Sequence, residues 1–330
     1  IKKTGGKKMF KSKKPSEPVG TIRKKSGFRK FRQDIPLYIL ALPGVIALLL
    51  FSYFPMAGIV LVFKDYNFKG GIFGSPWADP IYKNFRFFFN NISTAMRSTG
   101  LTVMYNLLFF IVGTIFAVAI AIMLSEIKGK MFIKISQSLM FLPYFISWMV
   151  MGAILYALLN ADSGLLNQTL VSLGKEPIDF YANPKAWIAI LTIVNTWQSC
   201  GYTSIIYYGV LTGIDSSLYE AAKVDGASKL QCIRKITVPL LKPTIIILFL
   251  LSVGNMLKGN LNMIIGLTNL NPVLFSTTDL IDVFVYRSGV RNGEMAFASA
   301  ISLYQSIFGF LLVITANKIA GKFDKDATLF

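Results

Sequence analysis

Long uncharged stretches alternate with short charged segments along the chain. Six stretches have this character, and at 1.5 Å per residue each is long enough to cross a hydrocarbon layer of about 30 Å. Five of the six contain no Asp, Glu, Lys or Arg. The pattern predicts an all-α membrane protein with six transmembrane helices, at residues 35–63, 98–125, 135–161, 186–214, 243–267 and 295–317.

Lysine and arginine are concentrated in the segments that would face one side of the membrane. These segments are the N-terminal tail, residues 125–136, residues 215–242 and the C-terminal segment, whereas the opposite segments mix acidic and basic residues. Because cytoplasmic loops carry an excess of Lys and Arg, both termini are predicted to be cytoplasmic. The predicted organisation is a basic, partly disordered tail at 1–34, a transmembrane domain at 35–320 and a cytoplasmic tail at 321–330.

The composition agrees with a membrane-embedded chain and limits the functions that the chain can have. Of 330 residues, 54% are hydrophobic, and the net charge is +18. Because the basic residues flank apolar stretches, this charge indicates membrane orientation and contact with anionic lipid rather than nucleic-acid binding. The chain has no histidine, and its two cysteines, Cys200 and Cys232, suggest neither a disulfide framework nor a metal site. Because the chain begins with Ile1, we do not take its first residue as the native start.

The segment 215–242 has the pattern of two helices joined by a tight turn. The residues before the turn are good helix formers, and Gly226 can adopt backbone angles closed to other residues. Asp225 and Ser228 can cap the helix that follows. Pro239 and Pro243 are expected to break the chain on its way into the fifth span.

This segment resembles the EAA loop of permease subunits of binding-protein-dependent ABC importers. Its Glu, Ala, Gly, Ile and Pro residues stand at the family's distances, although Cys232 takes the place of the usual aromatic residue. By this resemblance, the loop is the coupling helix that enters a cleft on a separate ATPase subunit. The residues assigned to ATPase coupling are Glu220, Ala221, Ala222, Asp225, Gly226, Ala227, Ile236 and Pro239.

The resemblance covers about residues 35–320 and implies the type I ABC importer permease fold. Residues 279–289 and the last span are similar to the complex-sugar branch, which includes LplB-like and MalF-like subunits. The resemblance implies a multi-pass permease of the bacterial plasma membrane that imports an oligosaccharide or other carbohydrate by alternating access. The implied partners are a second permease subunit, two ATPase subunits and an extracytoplasmic solute-binding protein.

The chain lacks the sequence of a phosphate-binding loop. None of its Gly-Lys pairs is followed by Ser or Thr. We therefore expect this chain to bind no cofactor, to hold no catalytic residue and to leave ATP and Mg²⁺ to the partner ATPase.

Polar side chains within the fourth and fifth predicted spans are candidates for the substrate pathway. Such groups are costly in lipid and usually face a bundle interior or a pathway. Amides can bind hydroxyl groups, and aromatic rings can stack on sugars. The same amides could instead join helices, and Lys258 could extend to the outer surface, so these interpretations stay open. The candidate pathway residues are Asn195, Trp197, Gln198, Tyr202, Asn255, Lys258 and Asn262.

Two other functions are compatible with the sequence. One is an ABC importer permease for a solute that is not a sugar. The other is a membrane-embedded enzyme or a channel that works without an ATPase. The absence of histidine and of a paired acidic cluster in any span argues against the enzyme.

Overall fold

The computed structural model describes residues 27–85 and 92–323, and these are almost entirely helical. Contacts divide the chain into two units, Ile1–Ala57 and Gly58–Phe330. In the first unit, helix α1 (Gly27–Leu48) is followed by a π-helical turn, Leu49–Tyr53. Helix α1 begins inside the predicted basic tail, and the rest of that tail lies outside the described residues.

The second unit is a series of helices of very different lengths. A 3₁₀ helix, Phe54–Phe63, leads into it. The α-helices that follow are α2 (Gly71–Gly74), α3 (Ile92–Ser125), α4 (Lys130–Phe141), α5 (Trp148–Leu159), α6 (Leu165–Ser172), α7 (Pro184–Thr212), α8 (Ser216–Val224), α9 (Lys229–Cys232), α10 (Val238–Val253), α11 (Leu261–Thr268), α12 (Phe275–Thr278), α13 (Ile281–Tyr286) and α14 (Met295–Phe323). Helix α14 ends within the predicted C-terminal tail, whose last residues lie outside the described part of the chain.

Several of these helices are long and apolar enough to cross a membrane. Within the described residues they are Asp34–Phe63, Ile92–Ser125, Lys229–Val253 and Met295–Lys322. The pair Lys130–Phe145 and Trp148–Leu159 would be a fifth span, but it is bent by 95°. The predicted span at 186–214 corresponds to α7, which is long enough but carries a polar run at its centre. The membrane-spanning helical architecture is therefore confirmed, and the number six stays a prediction.

The polar helix α7 lies at the centre of the second unit. Its residues Trp187, Leu191 and Tyr207 are fully buried. Leu191 belongs to a core formed with α3, α5 and α11, and Tyr207 packs with Ala117 and Ala121 of α3. One face of α7 therefore packs against other helices, and its opposite face, with Ile193 and Trp197, is exposed.

The predicted breaks at Pro239 and Pro243 were wrong, because the helical chain is continuous from Lys229 to Val253. A π-helical turn, Ile233–Thr237, precedes Pro239. Pro239 then falls in the first turn of α10, directly after this π-helical turn. Pro243 lies inside α10 without interrupting it.

Two glycines let α5 and α11 approach each other closely. A Cβ atom added at Gly152 would overlap the carbonyl group of Gly266, and one added at Gly266 would overlap the backbone of Trp148. Small residues at such contacts are typical of helix pairs in membranes.

We therefore expect Gly152→Ala to destabilise the protein by about 1–3 kcal/mol, because backbone atoms cannot yield as a flexible side chain would. Thermal unfolding in detergent, followed by tryptophan fluorescence, measures this loss. The control is Gly113→Ala in α3, where an added Cβ meets nothing within 4 Å. A melting temperature for Gly152→Ala equal to that of the control would contradict the close packing.

Candidate functional site

The segment 215–242 forms the predicted helix, turn and helix. Gly226 occupies the turn with φ of +77°, a conformation that favours glycine. Ser228 and Gln231 form a reciprocal capping box at the start of α9. Asp225 ends α8 rather than capping α9. The sequence analysis missed Asp215, whose carboxylate caps α8.

The Asp215 carboxylate accepts a hydrogen bond from the Ser217 N–H at 2.9 Å. This bond, together with one from the Ser217 side chain, holds the pKa of Asp215 below its ordinary value. The cap is therefore fully charged at neutral pH, where a negative charge stabilises the start of a helix.

The predicted coupling residues form an exposed surface. Glu220, Ala221, Asp225, Gly226 and Pro239 are exposed, whereas Ala222, Ala227 and Ile236 are half-buried. The Glu220 carboxylate takes part in no ion pair within the part of the chain that the structure describes.

Apolar residues on the same loop are also exposed. Val224, beside the turn, is 88% exposed, and Leu230 is 63% exposed. A groove of about 360 Å³ lies next to them between the two helices. Ala222, Asp225, Gly226, Ala227, Gln231, Cys232, Lys235 and Ile236 line this groove. The loop thus combines an unpaired carboxylate, exposed apolar side chains and a concave surface.

One side-chain contact within the segment 215–242 and one to the end of α3 hold the inner side of the loop. The hydroxyl groups of Tyr219 and Thr237 are 3.0 Å apart and joined by a hydrogen bond. Lys229 forms an ion pair of 3.0 Å with Glu126, just beyond the end of α3. Both partners are largely exposed, so this pair contributes little stability. Cys232 is buried, which shows that the residue in the usual aromatic position packs inward.

The fifth predicted span is interrupted after α10, and side-chain amides hold the interruption in place. Residues 254–260 separate α10 from α11. The Asn106 amide of α3 donates hydrogen bonds of 3.0 Å to the carbonyl oxygens of Met256 and Lys258. The Gln305 amide of α14 donates to the carbonyl oxygen of Leu257 at 2.8 Å. The interruption, residues 254–260, is called the α10–α11 break below.

A similar contact holds the bend between α4 and α5. The Gln198 amide of α7 donates to the carbonyl oxygen of Ile146 at 2.9 Å. Gln198 is 9% exposed, so its amide serves the backbone in this structure. Its predicted pathway role stays a prediction.

The remaining candidate pathway residues lie in two places. Asn255, Lys258 and Asn262 are exposed in or next to the α10–α11 break. Trp197 and Tyr202 are exposed on α7, and the Tyr202 ring stacks on Tyr144 with centroids 4.7 Å apart.

Asn195 connects α7 to the helix that follows the break. Its amide is 3.9 Å from the sulfur of Met263 in α11. No hydrogen bond among the described residues joins Trp197 or Tyr202 to the break. The candidate pathway residues therefore form two separate groups.

A buried ion cluster, which the sequence analysis missed, anchors α12 and α13 to α3. Asp279 is 1% exposed, and both its oxygens accept hydrogen bonds of 2.8 Å from Arg287. Arg97 of α3 approaches the same carboxylate at 3.6 Å. Burial raises the pKa of Asp279, and the two guanidinium groups oppose that rise. Arg287 also lies over the Phe275 ring at 4.2 Å.

Comparison with known proteins reveals a family relationship. The family described as "Binding-protein-dependent transport system inner membrane component" matches residues 113–316. The Bacillus subtilis polygalacturonan/rhamnogalacturonan transport system permease protein YteP is 34% identical over 301 residues, which cover 90% of this chain and 91% of YteP. Protein LplB of the same organism is 31% identical over 318 residues, covering 95% of this chain and 98% of LplB.

A solved structure has the same fold. It is a chain of a bacterial ABC transporter involved in the import of the acidic polysaccharide alginate, with a TM-score of 0.80 and 28% sequence identity. The match covers 90% of this chain and 99% of that one. A structure of a bacterial alginate ABC transporter in complex with an alginate pentasaccharide-bound periplasmic protein also contains a matching chain, with a TM-score of 0.80 and 28% identity over 91% of this chain and 98% of that one.

The amide contacts at the α10–α11 break lead to a prediction. Asn106→Leu and Gln305→Leu should each lower stability by about 1–3 kcal/mol, because buried carbonyl groups would lose their donors. Thermal unfolding in detergent measures the loss. The matched control is Asn262→Leu, since Asn262 is exposed and donates no hydrogen bond to the described residues. Equal melting temperatures for all three variants would show that the amides do not hold the break.

Proposed function

The chain belongs to the binding-protein-dependent transport system inner membrane component family, and on this basis we propose that it imports an oligosaccharide by alternating access. It is a membrane-embedded transport subunit rather than an enzyme. The energy would come from ATP hydrolysis in a partner, transmitted through the segment 215–242.

The exposed surface of that segment is the main support for this proposal. Exposed apolar groups mark interaction sites, and Val224 and Leu230 are such groups on a loop otherwise rich in charge. The unpaired Glu220 carboxylate can pair with a basic group of the partner. Ala222 and Ala227 border a groove in which a partner surface could approach the backbone. An ATPase subunit that fits this surface would move α8 and α9 together with the helix that follows them.

The proposed arrangement places six spans in the membrane, with both termini and the coupling loop in the cytoplasm. The distribution of Lys and Arg supports it, since the loop 215–242 is basic. In this arrangement α7, with its polar run, would be the fourth span. The proposed division keeps a basic tail at 1–34 and a transmembrane domain at 35–320.

The proposed assembly contains a second permease subunit, two ATPase subunits and an extracytoplasmic solute-binding protein. Two observations support a carbohydrate as the cargo: the name of YteP, which is 34% identical to this chain, and the structure of the alginate transporter, whose matching chain is 28% identical. ATP and Mg²⁺ would bind to the ATPase subunits, and this chain would bind neither.

Two variants of the coupling loop test the proposal. Gly226→Pro cannot keep a φ of +77°, and Glu220→Ala removes the unpaired carboxylate. Both should reduce ATP-driven uptake at least about tenfold, the effect of losing one good interface contact. Uptake is measured in cells, and membrane insertion is checked by quantifying the chain in purified membranes.

The control for the turn is Gly213→Ala, because Gly213 has φ of −88° and follows α7 near the same loop. It should transport normally. Wild-type uptake by Gly226→Pro or Glu220→Ala, at equal membrane levels, would contradict the coupling role.

A further inference from the structure

Lys258 is the one charged residue within the six predicted spans. It lies in the α10–α11 break, between an apolar helix that ends at Val253 and another that begins at Leu261. A charge at such a depth is costly unless it is paired or faces a water-filled cavity.

The Lys258 ammonium has no close partner within the described residues. Neither an ion pair within 4.0 Å nor a hydrogen bond involves its Nζ atom there. Asp282 interacts electrostatically with Lys258, but its carboxylate already accepts hydrogen bonds from the Gln305 amide and the Gly259 N–H. Among the described residues, the N–H donors of the Lys258 ammonium therefore have no direct acceptor, and they are available to a group outside this chain.

The surroundings of Lys258 favour water over lipid. Asn255 and Asn262 are exposed like Lys258, so three exposed polar side chains fall within eight residues. Lipid would penalise each of them, because it offers no hydrogen-bond partners. An exposed surface of this composition fits the wall of a polar cavity.

The backbone beneath Lys258 is held from two sides. Its own carbonyl oxygen accepts from Asn106, and that of Leu257 accepts from Gln305. These bonds fix the backbone of Lys258, so its flexible side chain keeps the ammonium group close to the break. That is a requirement for recognising one charged group of a passing solute.

We propose that Lys258 selects an anionic oligosaccharide, one whose sugar rings carry carboxylate groups. The ammonium would donate a charge-assisted hydrogen bond to a carboxylate as the solute passes the α10–α11 break. This inference rests on the proposed import of an oligosaccharide and adds the sign of its charge. A neutral sugar would offer the Lys258 ammonium a hydroxyl group but no negative charge.

Uptake by the complete transporter in proteoliposomes, with its solute-binding protein, tests the inference. The probes are radiolabelled trigalacturonate and the corresponding neutral trisaccharide with each carboxyl group reduced to a hydroxymethyl group. Binding of both sugars to the solute-binding protein is measured separately, and uptake is compared at equal saturation. The wild type should favour the anionic sugar. Lys258→Met should lower uptake of that sugar at least about tenfold, as expected for one charge-assisted hydrogen bond, without lowering uptake of the neutral one.

Two further variants make the result specific. Lys258→Arg keeps the charge and should retain the preference for the anionic sugar. Lys175→Met removes an exposed lysine after α6 and should behave as the wild type. If Lys258→Met lowers uptake of both sugars equally, or of neither, the inference is overturned, since a packing or surface role would produce those results.

The proposed function and the inference fail in different ways. A wild-type transporter that imports the neutral sugar and excludes trigalacturonate would overturn the inference and leave oligosaccharide import standing. A wild-type transporter that imports neither sugar, although its solute-binding protein binds both, would overturn both.

Discussion

The structure depends on side-chain amides that donate hydrogen bonds to main-chain carbonyl groups where helices are interrupted. A helix that breaks inside a membrane leaves carbonyl groups without partners, and lipid cannot supply any. Asn106, Gln198 and Gln305 provide these donors from α3, α7 and α14. Each amide comes from a neighbouring helix, so each also fixes the position of the interrupted segment relative to its neighbour. Polar residues in these spans are therefore part of the support as well as candidates for a pathway.

The continuous helical segment from Lys229 to Val253 joins the two regions for which we propose functions. At one end it begins beside the Gly226 turn, and at the other it leads into the α10–α11 break. Because no proline interrupts it, a displacement of the coupling loop can be carried along it to the break. The Tyr219–Thr237 hydrogen bond attaches α8 to this helical segment, so the two helices can move together.

Much of this architecture could be predicted from the sequence. The lengths of the uncharged stretches were enough to predict the long apolar helices, because the bilayer thickness sets the length of a membrane-spanning helix. The turn of the coupling loop could be predicted because Gly226 and Ser228 carry strong local signals. The break predicted at Pro239 was wrong, because a π-helical turn comes before the proline and the proline lies in the first turn of α10.

The contacts between distant parts of the chain could not be predicted. The Asn106 bonds to the break join residues about 150 positions apart, and the Asp279 cluster joins α3 to α12 and α13. Nothing in one sequence indicates which amide meets which carbonyl group. The amide of Gln198 was assigned to the pathway for this reason, whereas the structure also gives it a backbone partner.

Cross-linking of the coupling loop to its ATPase tests the account most directly. Val224→Cys is made in a chain in which Cys200 and Cys232 are replaced by alanine, and inverted membrane vesicles of the complete transporter are treated with a bifunctional maleimide. The account predicts a product that contains this chain and the ATPase subunit, together with loss of ATP-driven transport. Labelling of Val224→Cys only from the extracytoplasmic side, or full transport after cross-linking to the ATPase, would contradict it.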